Sequence, residues 1–303
     1  MNNKSDKKHS EEFFGEARDY WWNDDYLELL ADRLDFDSCK TMIDVGCGQG
    51  HMSFKLEKYL GTEARVFGVD LEKEWIKIAN QKAEKRSDSE RFNFQPGDAY
   101  QLPFEDNTAD ITICQTVLIH LEDPLSAIKE MKRVTKPGGL IVALEPNNLI
   151  NSLTFDSISA IDDDVEDILS MVEFELRMQK GKRALGEGFS SIGDVVPEYF
   201  KKAGLKDTQV WIGDEPMSII PPYDTPKKKS RANELITWIK SGQVEHDYDQ
   251  NLKYYLAGGG DNENFNRYWQ KLKVRTEDLL ERLEKEEYIT AGGALLYIIA
   301  AKV

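Results

Sequence analysis

The chain has 303 residues, long enough for one large α/β domain with additions or for two modest domains. Its formal net charge of −16 repels phosphate backbones, which argues against a nucleic-acid partner. No run of about 18 apolar residues is present to span a membrane, and the polar opening, Met1 to Lys8, lacks the apolar core of a secretory signal.

Residues 1–12 read as a flexible tail, and 13–34 carry an aromatic-rich helical pattern that includes Phe13, Phe14, Tyr20, Trp21, Trp22, Tyr26, Leu29 and Leu30. The short apolar run Thr41–Val45 ends in glycines and reads as a buried strand, followed by helical periodicity from His51 to about Leu60. Strands are then expected at Arg65–Val69, Arg91–Gln95, Ile111–Gln115 and Leu140–Leu144, with helices at Lys73–Arg86 and Pro124–Val134. Strands alternating with helices imply a parallel sheet covered on both faces. After Pro146 the rhythm changes. Ile161, Val165, Leu169, Val172 and Leu176 recur at helical spacing, so 151–180 reads as an inserted helix. A helix near Ile192–Ala203 and a strand at Thr208–Ile212 restore the rhythm. A second, mostly helical insertion fills 221–286, and Ile289–Ala301 reads as a long closing strand.

Cys39, Cys47 and Cys114 form no C-x-x-C pair and are odd in number. They read as small buried side chains in a reducing cytoplasm, with neither a disulfide framework nor a zinc site. The acidic run Asp162-Asp163-Asp164 with Glu166 and Asp167 reads as a solvated helix start, and no metal site is expected.

Three features carry chemistry. Gly46, Gly48 and Gly50 follow a strand and precede a helix; glycines let a backbone turn sharply and approach a ligand closely. Asp70 ends the second strand, where a carboxylate can accept from both hydroxyls of a ribose, in a dinucleotide enzyme as well as in other nucleoside sites. The loop from Gly97 to Asn107 follows the third strand; Asp98 can accept from an exocyclic adenine amine and the Ala99 amide can donate to a ring nitrogen.

As a set these segments resemble the class I S-adenosylmethionine-dependent methyltransferases. Ile43–Gly50 is similar to their first motif, Asp70 to their ribose acid, Asp98–Gln115 to their adenine loop and fourth strand, and Arg133–Gly139 to the turn before their fifth strand. The resemblance covers residues 40–146, with a looser match at 190–212 and 288–303. It implies a doubly wound seven-stranded α/β sheet in the order 3-2-1-4-5-7-6 with the last strand antiparallel. It also implies S-adenosylmethionine as cofactor, held by Asp44, Gly46, Gly48, Gly50, Asp70, Leu71, Asp98, Ala99 and Gln115. Hydride transfer from a nicotinamide would use a similar glycine loop, but an adenine loop at Gly97–Asp106 serves a single nucleoside. His51 departs from the small or hydroxyl residue that many relatives place after the loop.

The core is expected over 13–150, 186–220 and 287–303, with 151–185 and 221–286 as a helical cover suited to an enclosed small-molecule pocket. His120, after the fourth strand, is the candidate base, or else a loop-anchoring residue; Tyr20, Trp21, Glu145 and Asn147 are candidates for binding the acceptor. Trp238, Tyr254, Tyr255, Phe265, Tyr268 and Trp269 either line the pocket or form core. No Asn-Pro-Pro-Tyr or Asp-Pro-Pro-Tyr segment follows the fourth strand, which again argues against nucleic-acid bases as acceptors. Two other readings stay open: methylation of a protein side chain, and a non-catalytic S-adenosylmethionine-binding regulator.

Overall fold

The computed structural model describes residues 16–159, 164–242 and 247–303. The proposed tail at 1–12, Phe13, Phe14, Ile161, Asp162 and Asp163 lie outside the described residues.

Seven strands form one sheet in the order β3-β2-β1-β4-β5-β7-β6. They are β1 (Thr41–Val45), β2 (Arg65–Asp70), β3 (Phe92–Pro96), β4 (Ala109–Gln115), β5 (Thr135–Pro146), β6 (Lys206–Ile212) and β7 (Leu296–Lys302). Only β7 runs against its neighbours, pairing antiparallel with both β5 and β6. The expected order and the antiparallel last strand are both present.

Strands buried on both faces read as continuous apolar runs, because successive side chains serve opposite cores. Met42 enters the core on one face with α1 (Asp24–Arg33) and α3 (Lys73–Glu84), while Ile43 and Val45 enter the other with α4 (Pro124–Val134) and α6 (Val196–Lys202). Helix α4 starts where Pro124 occupies its first turn and the Asp123 carboxylate accepts from the Ser126 amide.

Five boundaries differ from expectation. The first described helical turn is a short 3-10 segment at Glu16–Tyr20, broken before α1. Helix α2 covers only His51–Leu56 before tightening into a 3-10 turn. The turn expected at Lys136–Gly139 is a bulge within β5, where the register with β4 jumps from Ala109↔Thr135 to Ile111↔Leu140. The first inserted helix, α5, runs Val165–Ala184 rather than 151–180. Ahead of it, Asp156 holds the chain in a loop by accepting from the Ile158 and Ser159 amides. The closing strand begins at Leu296, not Ile289. Thr290 forms only an isolated bridge to Ile219, and Gly292 takes φ +83° so close to Pro216 that a Cβ would lie 1.8 Å from its carbonyl oxygen.

The second insertion contains α7 (Pro226–Lys240), α8 (Tyr248–Ala257) and α9 (Asn262–Glu284). Phe174 of α5 packs with Tyr255, Phe265 and Trp269 in an aromatic core separate from those of the sheet. Ala232 and Leu283 share another with Ile219, Tyr223 and Tyr288. Among the described residues no helix is long and apolar enough to cross a membrane.

Candidate functional site at the strand tips

The registers Val45↔Val69, Val45↔Cys114 and Asp70↔Pro96 bring the C-terminal tips of β1, β2, β3 and β4 to one edge of the sheet. The loop Gly46–Gly50 leaves β1 there. Gly46, Gly48 and Gly50 all have positive φ (+67°, +52° and +81°), which L side chains rarely adopt. The Val69 carbonyl accepts from the amides of both Gly46 and Cys47, at 2.7 and 3.0 Å. One Asp70 oxygen accepts from the Gly48 amide and the other from the Glu72 amide, each at 2.8 Å. The acid at the tip of β2 therefore shapes the loop while standing at its mouth. Beside it Leu71 is 70% exposed, an apolar surface open to a flat ring. Asp98 is exposed in the loop after β3, where its Oδ1 accepts from the Tyr100 amide; the adjoining Ala99 packs against the core.

Asp44 is buried under the loop and accepts from the Ser53 hydroxyl at 2.6 Å. Burial raises its carboxyl to about 7, with Asp70 adding to the rise and Arg18 and Ser53 opposing it. His51 is held neutral, pushed down to about 3 by burial and by Arg18, Lys55 and Lys82. Its Nδ1 lies 3.5 Å from Asp19, and its buried Nε2 has no partner among the described residues.

At the tip of β4, Gln115 is buried, and neither end of its side-chain amide has a partner among the described residues. An unpaired buried amide is expensive, so such a group marks a ligand position. Thr116 follows with φ +53°, a rare conformation for a β-branched residue. His120 ends the 3-10 turn Leu118–His120 and is exposed.

Glu145 lies deeper than its place at the end of β5 suggested. It is fully buried, and its Oε1 accepts from the Val117 and Leu118 amides at 3.0 and 2.9 Å. Burial raises this carboxyl to about 8. Asn147 holds a turn: its Oδ1 accepts from the Leu149 amide and its Nδ2 donates to Asp194. Trp21 packs against the sheet core with its indole N–H buried and without a partner among the described residues, and Arg18 lies 5.0 Å above its ring. The Tyr20 carbonyl accepts from Arg231 of α7 at 3.0 Å.

Sequence reasoning passed over Arg18, Ser53, Thr116 and Arg231. Arg18 and Arg231 carry no motif: only the fold brings Arg18 near Asp44 and His51, and Arg231 reaches the N-terminal turn through the Tyr20 carbonyl. Of the insertion aromatics, Tyr255, Phe265 and Trp269 are core, and Trp238 is exposed.

This sheet order, with a glycine loop and an acid at adjoining tips, defines a Rossmann-like protein built to hold a nucleoside. A family model described as a methyltransferase domain matches residues 36–191, just over half of the chain. An uncharacterized methyltransferase of Schizosaccharomyces pombe is 41% identical over 113 residues, 36% of this chain and 40% of that one. The demethylmenaquinone methyltransferase of Geobacillus stearothermophilus is 34% identical over 124 residues, 41% of this chain and 51% of that one. The chain thus spans about half or less of the length of the curated relatives it matches. Among solved structures, the [4+2]-cyclase SpnF superposes with a TM-score of 0.52 at 18% identity, over 92% of this chain and 80% of that one. A putative sarcosine dimethylglycine methyltransferase from Galdieria sulphuraria gives 0.51 at 16%, over 92% and 84%. At such identities the likeness is one of fold. The chain belongs to the class I S-adenosylmethionine-dependent methyltransferases.

Proposed function

We propose that this protein transfers the methyl group of S-adenosylmethionine to a small-molecule acceptor. The observation that carries the reading is the strand-tip cradle, where a buried Gln115 amide, without a partner among the described residues, stands beside the glycine loop and Asp70. The named acceptor of the matched Geobacillus relative, a quinone, supports the small-molecule class.

In this reading Asp70 faces the ribose hydroxyls, Leu71 covers a ring face, and Asp98 with the Ala99 amide reads the adenine edge. The backbone of Gly46, Gly48 and Gly50 and the Gln115 side chain hold the methionine portion, with Asp44 beneath. The cofactor supplies a methyl group already activated on a sulfonium. The protein's share is then to align the acceptor with the breaking bond and exclude water, an effect that reaches about 7–11 kcal/mol in favourable intramolecular cases. The separate aromatic core of α5, α8 and α9 supports the reading of 151–185 and 221–286 as a cover. A base is needed only for an acceptor that arrives protonated and holds its proton firmly. His120 is the candidate, and His120→Ala then lowers turnover without weakening cofactor binding.

The test is calorimetric titration with S-adenosylmethionine and S-adenosylhomocysteine, then a transfer screen over small metabolites and proteins. Binding with transfer to a small molecule is expected. No affinity for either compound overturns the reading. Binding without transfer favours a regulator, and transfer only to protein favours a side-chain methyltransferase. Replacing residues 225–286 by a short linker should abolish turnover; a folded variant that keeps turnover argues against the cover.

A further inference from the structure

Polar groups around the glycine loop are buried without the partners that offset such a cost. Nε2 of His51, the indole N–H of Trp21 and both ends of the Gln115 amide have no partner among the described residues. His51 opens α2 directly after Gly50, and Gln115 ends β4, the strand that pairs with β1. Trp21 comes from ahead of the sheet, and the Arg18 guanidinium lies 5.0 Å above its ring.

Arg18 links these groups. Burial, with Arg18 second, holds His51 neutral. The His51 Nδ1 faces Asp19 at 3.5 Å, so Nδ1 carries the ring hydrogen and Nε2 keeps its lone pair. Below, burial raises the Asp44 carboxyl and the Arg18 charge opposes that rise. The patch therefore holds donors, the guanidinium and the indole N–H, next to an acidic group and an imidazole lone pair. Opposite characters side by side match a zwitterion, a carboxylate and an ammonium on one carbon. A simple anion meets the donors and leaves the His51 lone pair unmet.

We propose that this patch reads the α-amino acid end of S-adenosylmethionine. Arg18 and the Trp21 N–H receive its carboxylate, His51 Nε2 accepts from its ammonium, and Asp44 supplies negative charge beneath. A guanidinium suits this task because its planar fork matches a carboxylate. The inference rests on the cofactor reading above and goes beyond it. Arg18 and Trp21 precede residue 36, where the family match begins, and His51 belongs to no motif of the loop. The N-terminal turn is thereby a working part of the cofactor site, and the chain distinguishes the cofactor from nucleosides that lack the amino acid.

Calorimetric titration of the full chain with three ligands tests this. S-adenosylhomocysteine carries both charges, its decarboxylated analogue only the ammonium, and 5′-methylthioadenosine neither. The wild type should bind S-adenosylhomocysteine far more tightly than 5′-methylthioadenosine. Arg18→Met should weaken S-adenosylhomocysteine about tenfold or more, the worth of a charge-assisted hydrogen bond, and leave the other two no weaker than before. Arg18→Lys, which keeps the charge, should recover part of the loss. His51→Leu should weaken S-adenosylhomocysteine and the decarboxylated analogue together, with 5′-methylthioadenosine unchanged. Equal losses for S-adenosylhomocysteine and 5′-methylthioadenosine in Arg18→Met make Arg18 a brace of the turn and overturn the proposal. So does the absence of any loss, or a wild type that binds these two ligands equally. A wild type that binds none of the three overturns the cofactor reading itself, and this inference with it.

Discussion

Gly46 sits where two loops interlock. A Cβ there would lie 2.4 Å from Val117 Cγ2, in a backbone conformation of φ +67° that disfavours any side chain. The left-handed conformation costs an L residue about 1–2 kcal/mol, and forcing a methyl into a packed site adds about 1–3 kcal/mol. Gly46→Ala should therefore displace the Val117 segment and Gln115 with it. The expected outcome is a lower melting temperature and at least tenfold weaker S-adenosylhomocysteine binding, measured by calorimetry; unchanged affinity would remove Gly46 from the cradle. From the other side Glu145 braces the same segment, and its carboxyl is raised from 4.5 to about 8 by burial. The unfolded chain releases this proton first as pH rises. Stability therefore falls between about 4.5 and about 8, and Glu145→Gln lacks that contribution. Thermal unfolding across this range should show the variant gaining on the wild type as pH increases. A gap independent of pH would mean that Glu145 is ionised in the fold.

Among elements, the N-terminal 3-10 turn lies beside the start of α2, where Asp19 stands 3.5 Å from His51, and α7 packs on the outside of that turn. Arg231 is buried and donates to the Tyr20 carbonyl, while Lys227 reaches Asn23 at 3.3 Å and also pairs with Glu215. Arg231→Met removes the donor to a carbonyl in this junction. Hydrogen exchange should then accelerate through Arg18–Asn23 while the sheet stays protected; unchanged exchange would show that the turn is held by its own packing. None of this junction was legible in the sequence, since Tyr20 and Arg231 are 211 positions apart and neither breaks a local pattern. The units around β1, β2 and β4 were legible because each strand reads as a largely apolar run and a helical pattern follows it; β3 leads through a loop straight into β4. Glu145 was misplaced for a related reason. Its position at a strand end is visible in one dimension, but whether the carboxylate points to the pocket or under the neighbouring loop depends on β4, which pairs with β5 in space.

Across the whole molecule, the family match ends at residue 191, but the sheet does not. β7 lies between β5 and β6, and its Ile298, Ile299, Ala300 and Ala301 are all buried in the two sheet cores. A chain cut after residue 205 keeps the glycine loop, Asp70, Asp98 and Gln115. It loses β6 and the antiparallel β7 and leaves β5 as an unpaired edge made of Leu140–Leu144, a ready template for aggregation. The residues that define the site are thus confined to the first half, while the element that seals their sheet arrives last. The 1–205 fragment should be insoluble, or collapsed with strong binding of an apolar dye, and should not bind S-adenosylhomocysteine. Adding a synthetic β7 peptide (Leu296–Lys302) should not restore it, since β6 and the insertion core are missing as well. A soluble 1–205 fragment that unfolds cooperatively and binds the nucleoside would show instead that the first five strands fold on their own, with the closing hairpin as a later addition to a self-sufficient cradle.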